Sequence, residues 1–270
     1  MFESWRSMWG LDWRIPLLQE CLFYLQTCRN WRTVLRGRLY QIPFSKFILW
    51  NGQAIHFRGN PPFQIFQEVW RHKQYTPPQY ANSPRIVVDI GANIGFFALY
   101  AAARWREARV LAFEPAPENY DLLKQNLSVP QARLECRQIA LADKKGAATF
   151  YLKQESGWHS LFGESGATPI VVDTLALEDM MQEYALERID FLKVDCEGAE
   201  YSIFRGREEL LCERIGFVAM EYHLVDGHGV QELQELFSRA GFVLRIEPPS
   251  TWNTGLLYAK NPRLLGDSRA

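Results

Sequence analysis

From Arg85 onward the chain alternates short apolar runs with amphipathic stretches. The runs predict strands over residues 85–90, 110–114, 134–139, 190–195, 216–222, 242–247 and 255–260. Helical periodicity predicts helices over 94–105, 117–127, 175–186, 199–212 and 229–240. Two more strands are expected near 147–152 and 168–172. This alternation predicts an α/β fold, a mainly parallel sheet with helices on both faces. The first 80 residues follow another pattern. Leu18, Leu22 and Leu25 share one helical face, and Asn51-Gly52 between Phe47–Trp50 and Ala54–Phe57 predicts a hairpin, because both residues tolerate positive φ. A helix is expected around Phe63–Lys73, and residues 76–84, rich in proline, read as a linker. The expected organisation is an extension over 1–80, a main domain over 81–262 and a tail over 263–270.

The hydrophobic fraction of 47% and charged fraction of 23% exclude a disordered, coiled-coil or collagen-like chain. No run is long enough for a transmembrane helix, and the N-terminus lacks the pattern of a secretory signal. Five cysteines without a C-x-x-C pair give neither a disulfide framework nor a zinc ribbon, so a cytoplasmic setting is expected. The net charge of −1 conceals an asymmetry: residues 1–80 carry ten Lys+Arg against four Asp+Glu, and six of the nine Trp. The favoured reading is an amphipathic helix docked on the main domain, with Arg29, Arg32 and Arg36 on its wet side. A peripheral membrane contact is the alternative, and no nucleic-acid partner is expected.

The string Val87-Val88-Asp89-Ile90-Gly91-Ala92-Asn93-Ile94-Gly95-Phe96 runs from a buried strand through a turn into a helix, where open α/β sheets bind ligands. Asn93 and Phe96 occupy the second and third glycine positions of a dinucleotide fingerprint, and Asp89 would repel a pyrophosphate. A cationic ligand without phosphate, such as S-adenosylmethionine, suits that carboxylate better. Glu114, ending the second strand, can accept hydrogen bonds from ribose hydroxyls, a role it would serve equally with a nicotinamide dinucleotide. Asp143 sits on a loop where it can meet an adenine amino group or simply close a polar turn. The fourth strand leads into Lys193, Asp195, Glu197 and Glu200, a titratable cluster at the ligand edge.

Together these strings resemble the FkbM family of S-adenosylmethionine-dependent methyltransferases over about residues 60–247. The resemblance rests on V-V-D-I-G-A-N-I-G-F-F, A-F-E-P-x-P-E-N, I-A-L-A-D-K-x-G, V-D-T-L and D-F-L-K-V-D-C-E-G-A-E. It implies a Rossmann-like sheet of seven core strands, mostly parallel with the last antiparallel, and methyl transfer to a hydroxyl of a small molecule such as a sugar, glycolipid or other natural product. On this resemblance Asp89, Gly91, Asn93 and Gly95 line the methionine part, Glu114 the ribose and Asp143 the adenine. Lys193, Asp195, Glu197 and Glu200 face the methyl and the acceptor. Where the family has a Ser-rich loop, this chain reads Ser156-Gly157-Trp158-His159-Ser160-Leu161, so His159 and Ser160 are candidate substrate contacts.

A hydroxyl acceptor requires a base, for which Asp195 or Glu197 come first and His223 next. Lys193 is expected to pair with a carboxylate. A second model uses Mg2+ on Asp195, Glu197 and Glu221, and Glu221 also counts among the candidate substrate contacts. An NAD-dependent oxidoreductase and a non-catalytic nucleoside-binding scaffold are the competing classes.

Overall fold

The computed structural model describes residues 14–77, 80, 83–128, 133–152, 168–225, 227–247 and 253–266. The chain divides into two compact units, Met1–His72 and Lys73–Ala270, so the boundary precedes the stretch read as a linker. The first unit contains α1 (Arg14–Thr27), α2 (Trp31–Tyr40), the hairpin β1 (Lys46–Ile48) and β2 (Ala54–His56), and α3 (Phe63–Phe66), which continues as a π-helical turn over Gln67–Arg71. Its core is aromatic: Phe47 stacks on Phe66 at 4.4 Å, and Tyr24 is fully buried beside them. The buried positions of α1 are Glu20 and Tyr24, with Cys28 just past its end continuing the line, not the leucine stripe. Glu20 accepts hydrogen bonds from Arg38, Gln67 and Tyr24, which offset the cost of burying its charge. Leu18, Leu22 and Leu25 are exposed, which corrects the expectation that they form the buried face. In the hairpin only Gly52 takes positive φ; Asn51 instead accepts from the Gln53 amide.

The second unit is built on a seven-stranded sheet with β3 (Ile86–Ile90), β4 (Arg109–Phe113), β5 (Leu134–Arg137), β9 (Ile189–Val194), β10 (Ile215–His223), β11 (Val243–Glu247) and β12 (Thr254–Lys260). The order is β11-β12-β10-β9-β3-β4-β5, and β12 alone runs antiparallel to its neighbours. This is the expected α/β, Rossmann-like arrangement. Central strands such as β9 are buried at every position, as a sheet covered on both faces requires. A smaller sheet, β6 (Ala140–Leu141), β8 (Thr168–Leu175) and β7 (Gly146–Leu152), holds the two additional strands anticipated from the sequence. The helices are α4 (Phe96–Arg104), α5 (Pro117–Leu127), α6 (Leu177–Glu183), α7 (Glu200–Phe204), α8 (Glu208–Arg214), α9 (Val230–Arg239) and α10 (Pro262–Leu265). The expected helix over 199–212 is two, because the chain turns at Gly206, whose φ of 73° ends a right-handed helix. Among the described residues no helix is long and apolar enough to cross a membrane.

Candidate active site

The parallel strands β4, β3 and β9 end together, and their C-terminal edge carries the chemistry. After β3 the chain turns sharply through Gly91 (φ 72°), Asn93 (φ 51°) and Gly95 (φ 96°). A Cβ on Gly91 would lie 1.8 Å from the Asp195 carbonyl oxygen, so glycine here lets the loop after β9 touch the loop after β3. The amides of this turn are all engaged. Gly91 and Ala92 donate to the Phe113 carbonyl at 3.0 Å, and Gly95 donates to Ala92 at 2.9 Å. Asn93 donates to Glu114 Oε2 at 2.8 Å, and Ile94 to Asn93 Oδ1 at 2.7 Å.

Glu114 is buried at the end of β4, where Oε1 accepts from the Ala116 amide at 3.0 Å. Burial pushes its pKa up to about 7, against the opposing pull of the Ala116 and Asn93 amides. It lines a cleft open to solvent, together with Gly91, Asn93, Asn119, Asp195 and Glu197. Ile139, Leu141 and Phe150 supply an apolar wall. Glu114 and Glu197 thus belong to one cleft although they lie 83 positions apart in the chain.

Lys193 is buried within β9, and its ammonium donates to the Gly91 carbonyl at 2.7 Å. It lies 3.1 Å from Asp89 and 3.6 Å from Asp195. Burial alone would lower its pKa, but the Asp89 and Asp195 carboxylates outweigh it and hold the ammonium above its usual value. His223, at the end of β10, is held between two acids: Nδ1 is 2.8 Å from Glu200 Oε1 and Nε2 is 3.3 Å from Glu197 Oε2. Burial opposes its charge, yet Glu200 and Glu197 push its pKa up to about 10. Glu197 takes a left-handed backbone (φ 54°), which costs a non-glycine residue on the order of 1–3 kcal/mol and recurs at functional sites. Burial pushes its carboxyl up to about 8, with the Asp195, Glu200 and Glu221 charges adding to the rise and His223 opposing it.

Residues 89–244 match the family model for the methyltransferase FkbM domain, more than half of the chain. The chain belongs to the FkbM methyltransferase family. Methyltransferase sdnD of Sordaria araneosa is 32% identical over 190 residues, 58% of this chain and 73% of that protein. The 31-O-demethyl-FK506 methyltransferase FkbM of Streptomyces tacrolimicus is 30% identical over 230 residues, 73% of this chain and 88% of its own. The 2-O-methyltransferase NoeI of Sinorhizobium fredii is 27% identical over 154 residues, 51% of this chain and 63% of its own.

In this FkbM-family chain the expected site residues divide into two groups. Gly91, Asn93, Glu114, Asp195 and Glu197 come together around the cleft. Asp89 does not line it: the side chain is fully buried, 3.1 Å from the Lys193 ammonium. Gly95 lies behind the turn, where a Cβ would meet Leu123 at 2.9 Å. Asp143 is exposed and does not line the cleft; its main-chain oxygen accepts from Arg207. Lys193, Glu200 and Glu221 do not line the cleft either. Glu200 is fully buried on His223, and Glu221 accepts from Gln74 at 3.1 Å and Tyr75 at 3.2 Å. His223, expected as a possible base, has both ring nitrogens facing carboxylates. Among the described residues the group able to hold a metal ion is Asp195, Glu197 and His223, with Glu221 not in it. His159 and Ser160 lie outside the described residues. Sequence reasoning missed Asn119 and Tyr75. Asn119 stands within the quoted E-P-x-P-E-N string and was open to notice, whereas nothing local marks Tyr75.

Proposed function

We propose that the protein transfers a methyl group from S-adenosylmethionine to a hydroxyl oxygen of a small molecule, a sugar or other natural product. Family membership supports methyl transfer, and two relatives bear names that specify oxygen, the 31-O and 2-O positions of their acceptors. The observation that carries the choice of donor is the turn after β3. A dinucleotide site needs free turn amides to cradle a pyrophosphate. Here the amides of Gly91 through Gly95 already have internal acceptors, one of them a buried carboxylate. That supports an adenosine ligand without phosphate and speaks against the oxidoreductase reading.

S-adenosylmethionine, when bound, supplies an electrophilic methyl group on a sulfonium sulfur. Glu114 accepts a backbone hydrogen bond on each oxygen and a further one from the Asn119 side chain, and its remaining acceptor capacity faces a ribose hydroxyl. Glu197 is the residue assigned to take the acceptor's proton, because its basicity, with a pKa near 8, is matched to the task. The His223 imidazolium holds Glu197 from behind, and Glu200 holds His223. Asp195, the other carboxylate on this wall, orients the acceptor hydroxyl. Holding both reactants in line supplies much of the rate. Incubation with methyl-labelled S-adenosylmethionine and fractionated cell extract tests this reading. Label in a base-stable ether product is expected; label that appears nowhere, or only on nitrogen, rejects it.

A further inference from the structure

The segment Lys73–Pro77 precedes the region matched by the family model, yet it meets the same cluster. Tyr258 donates to the Gln74 carbonyl at 2.6 Å, and Thr76 and Tyr100 share a hydroxyl hydrogen bond at 3.1 Å, so the segment is pinned at both ends. Between these pins the Tyr75 hydroxyl lies 3.0 Å from Asp195 Oδ2 and 3.2 Å from Glu221 Oε2. The Tyr75 ring packs edge-on to Phe97 at 5.7 Å, and the Lys193 ammonium stands 5.2 Å from the ring centroid. Tyr75 is 6% exposed and does not line the cleft.

We infer that Tyr75 is a positioning residue for the reaction, acting through Asp195: its hydroxyl bridges Asp195 and Glu221 and fixes the Asp195 carboxylate at the cleft wall. The phenol has one proton for two carboxylates. Glu221 has a second donor in Gln74, on the same oxygen, and Asp195 has the Lys193 ammonium 3.6 Å away. The stronger hydrogen bond to Asp195 therefore goes to the group that lines the cleft, and Lys193 and Tyr75 together hold the same Oδ2. Without the phenol, Asp195 keeps only the longer contact to Lys193 and gains freedom to rotate. A carboxylate that orients a reacting hydroxyl must sit within a fraction of an ångström of its place, so this loss falls on turnover and not on donor binding.

The inference rests on the proposed methyl transfer and is tested with Tyr75→Phe, which keeps the ring contacts, alone and combined with Asp195→Asn. S-adenosylhomocysteine binding to Y75F is expected to stay within about twofold of wild type while kcat falls about tenfold, in the labelled-methyl assay on the extract fraction that accepts label. The double variant should be no slower than D195N within about twofold, because both changes remove one interaction. In protein labelled with 13C-carboxyl aspartate, the Asp195 resonance, assigned by D195N, should move in Y75F. Wild-type kcat in Y75F, losses that multiply in the double variant, or an unmoved Asp195 resonance each overturn the inference. If wild type itself transfers no methyl, the proposed function fails, and the Asp195 resonance alone then decides whether Tyr75 positions that carboxylate.

Discussion

Replacing Gly91 with alanine would set a Cβ 1.8 Å from the Asp195 carbonyl oxygen, where van der Waals contact needs about 3.5 Å. The neighbour is backbone, so no rotamer change relieves the clash; the loop after β9 must retreat by more than an ångström. That movement breaks the Asp195 amide bond to the Ile90 carbonyl, 3.1 Å in the native state, and disturbs the Lys193 bond to the Gly91 carbonyl. Holding alanine at φ +72° adds about 1–2 kcal/mol. With a buried hydrogen bond lost at about 1–3 kcal/mol, the expected destabilisation is roughly 2–5 kcal/mol. In a chain of this size that lowers Tm by on the order of 10 °C. Asp195 and Glu197 ride on the displaced loop, so turnover should fall about a hundredfold even in the folded fraction. Gly206→Ala is the control: its φ is 73°, but a Cβ there meets nothing within 4 Å, so only the conformational cost of about 1–2 kcal/mol applies. Calorimetry and the labelled-methyl assay on both variants give the answer. G91A as stable as G206A, with near wild-type turnover, would refute the close approach of the two loops.

Three further outcomes follow from the buried acids. Glu114 has its pKa raised from 4.5 to about 7, so the folded state binds its proton more tightly than the unfolded chain. Its contribution to stability is full below pH 4.5 and is lost as pH rises through 7, at most about 3 kcal/mol. Urea unfolding at pH 5 and pH 8 should show this loss in wild type and not in Glu114→Gln; equal pH dependence in both argues against it. As the base, Glu197 must be unprotonated, so turnover should rise with pH, reach half its maximum near pH 8 and level off above it. Glu197→Gln should abolish that limb and cost about 10²–10⁴ in kcat, and a flat wild-type profile from pH 6 to 9 would exclude the assignment. His223→Asn leaves the Glu200 charge buried without its cation. A loss of about 3–5 kcal/mol is expected in urea melts, and a loss below about 1 would mean that the pair contributes little.

The fold was legible wherever local pattern and tertiary placement agree. Strands such as β9 and β10 are mostly apolar because both faces are covered, and Gly91 with Gly95 marks the turn that only positive φ permits. In helix α1 the leucines follow one stripe while Glu20 and Tyr24 follow another, and periodicity alone does not say which stripe is buried. Gly206 was a visible stop within the helix expected over 199–212 and deserved more weight than the flanking periodicity. In the site, acids at strand ends were readable, but their partners were not. Nothing near Asp89 in the sequence shows that Lys193, 104 positions later, lies against it. Likewise nothing near His223 in the sequence shows that Glu200 and Glu197 face its two nitrogens. Tyr75 gave no local sign, since its role exists only through contacts to Asp195 and Glu221, 120 and 146 positions away.

The most direct measurement is calorimetric titration of the wild-type protein and Glu114→Ala with S-adenosylmethionine and, separately, with NAD. Saturable one-to-one binding of S-adenosylmethionine to wild type, weakened at least about tenfold in the variant, and no heat with NAD are the results the account predicts. Saturable binding of NAD, or S-adenosylmethionine affinity indifferent to the loss of Glu114, would contradict it.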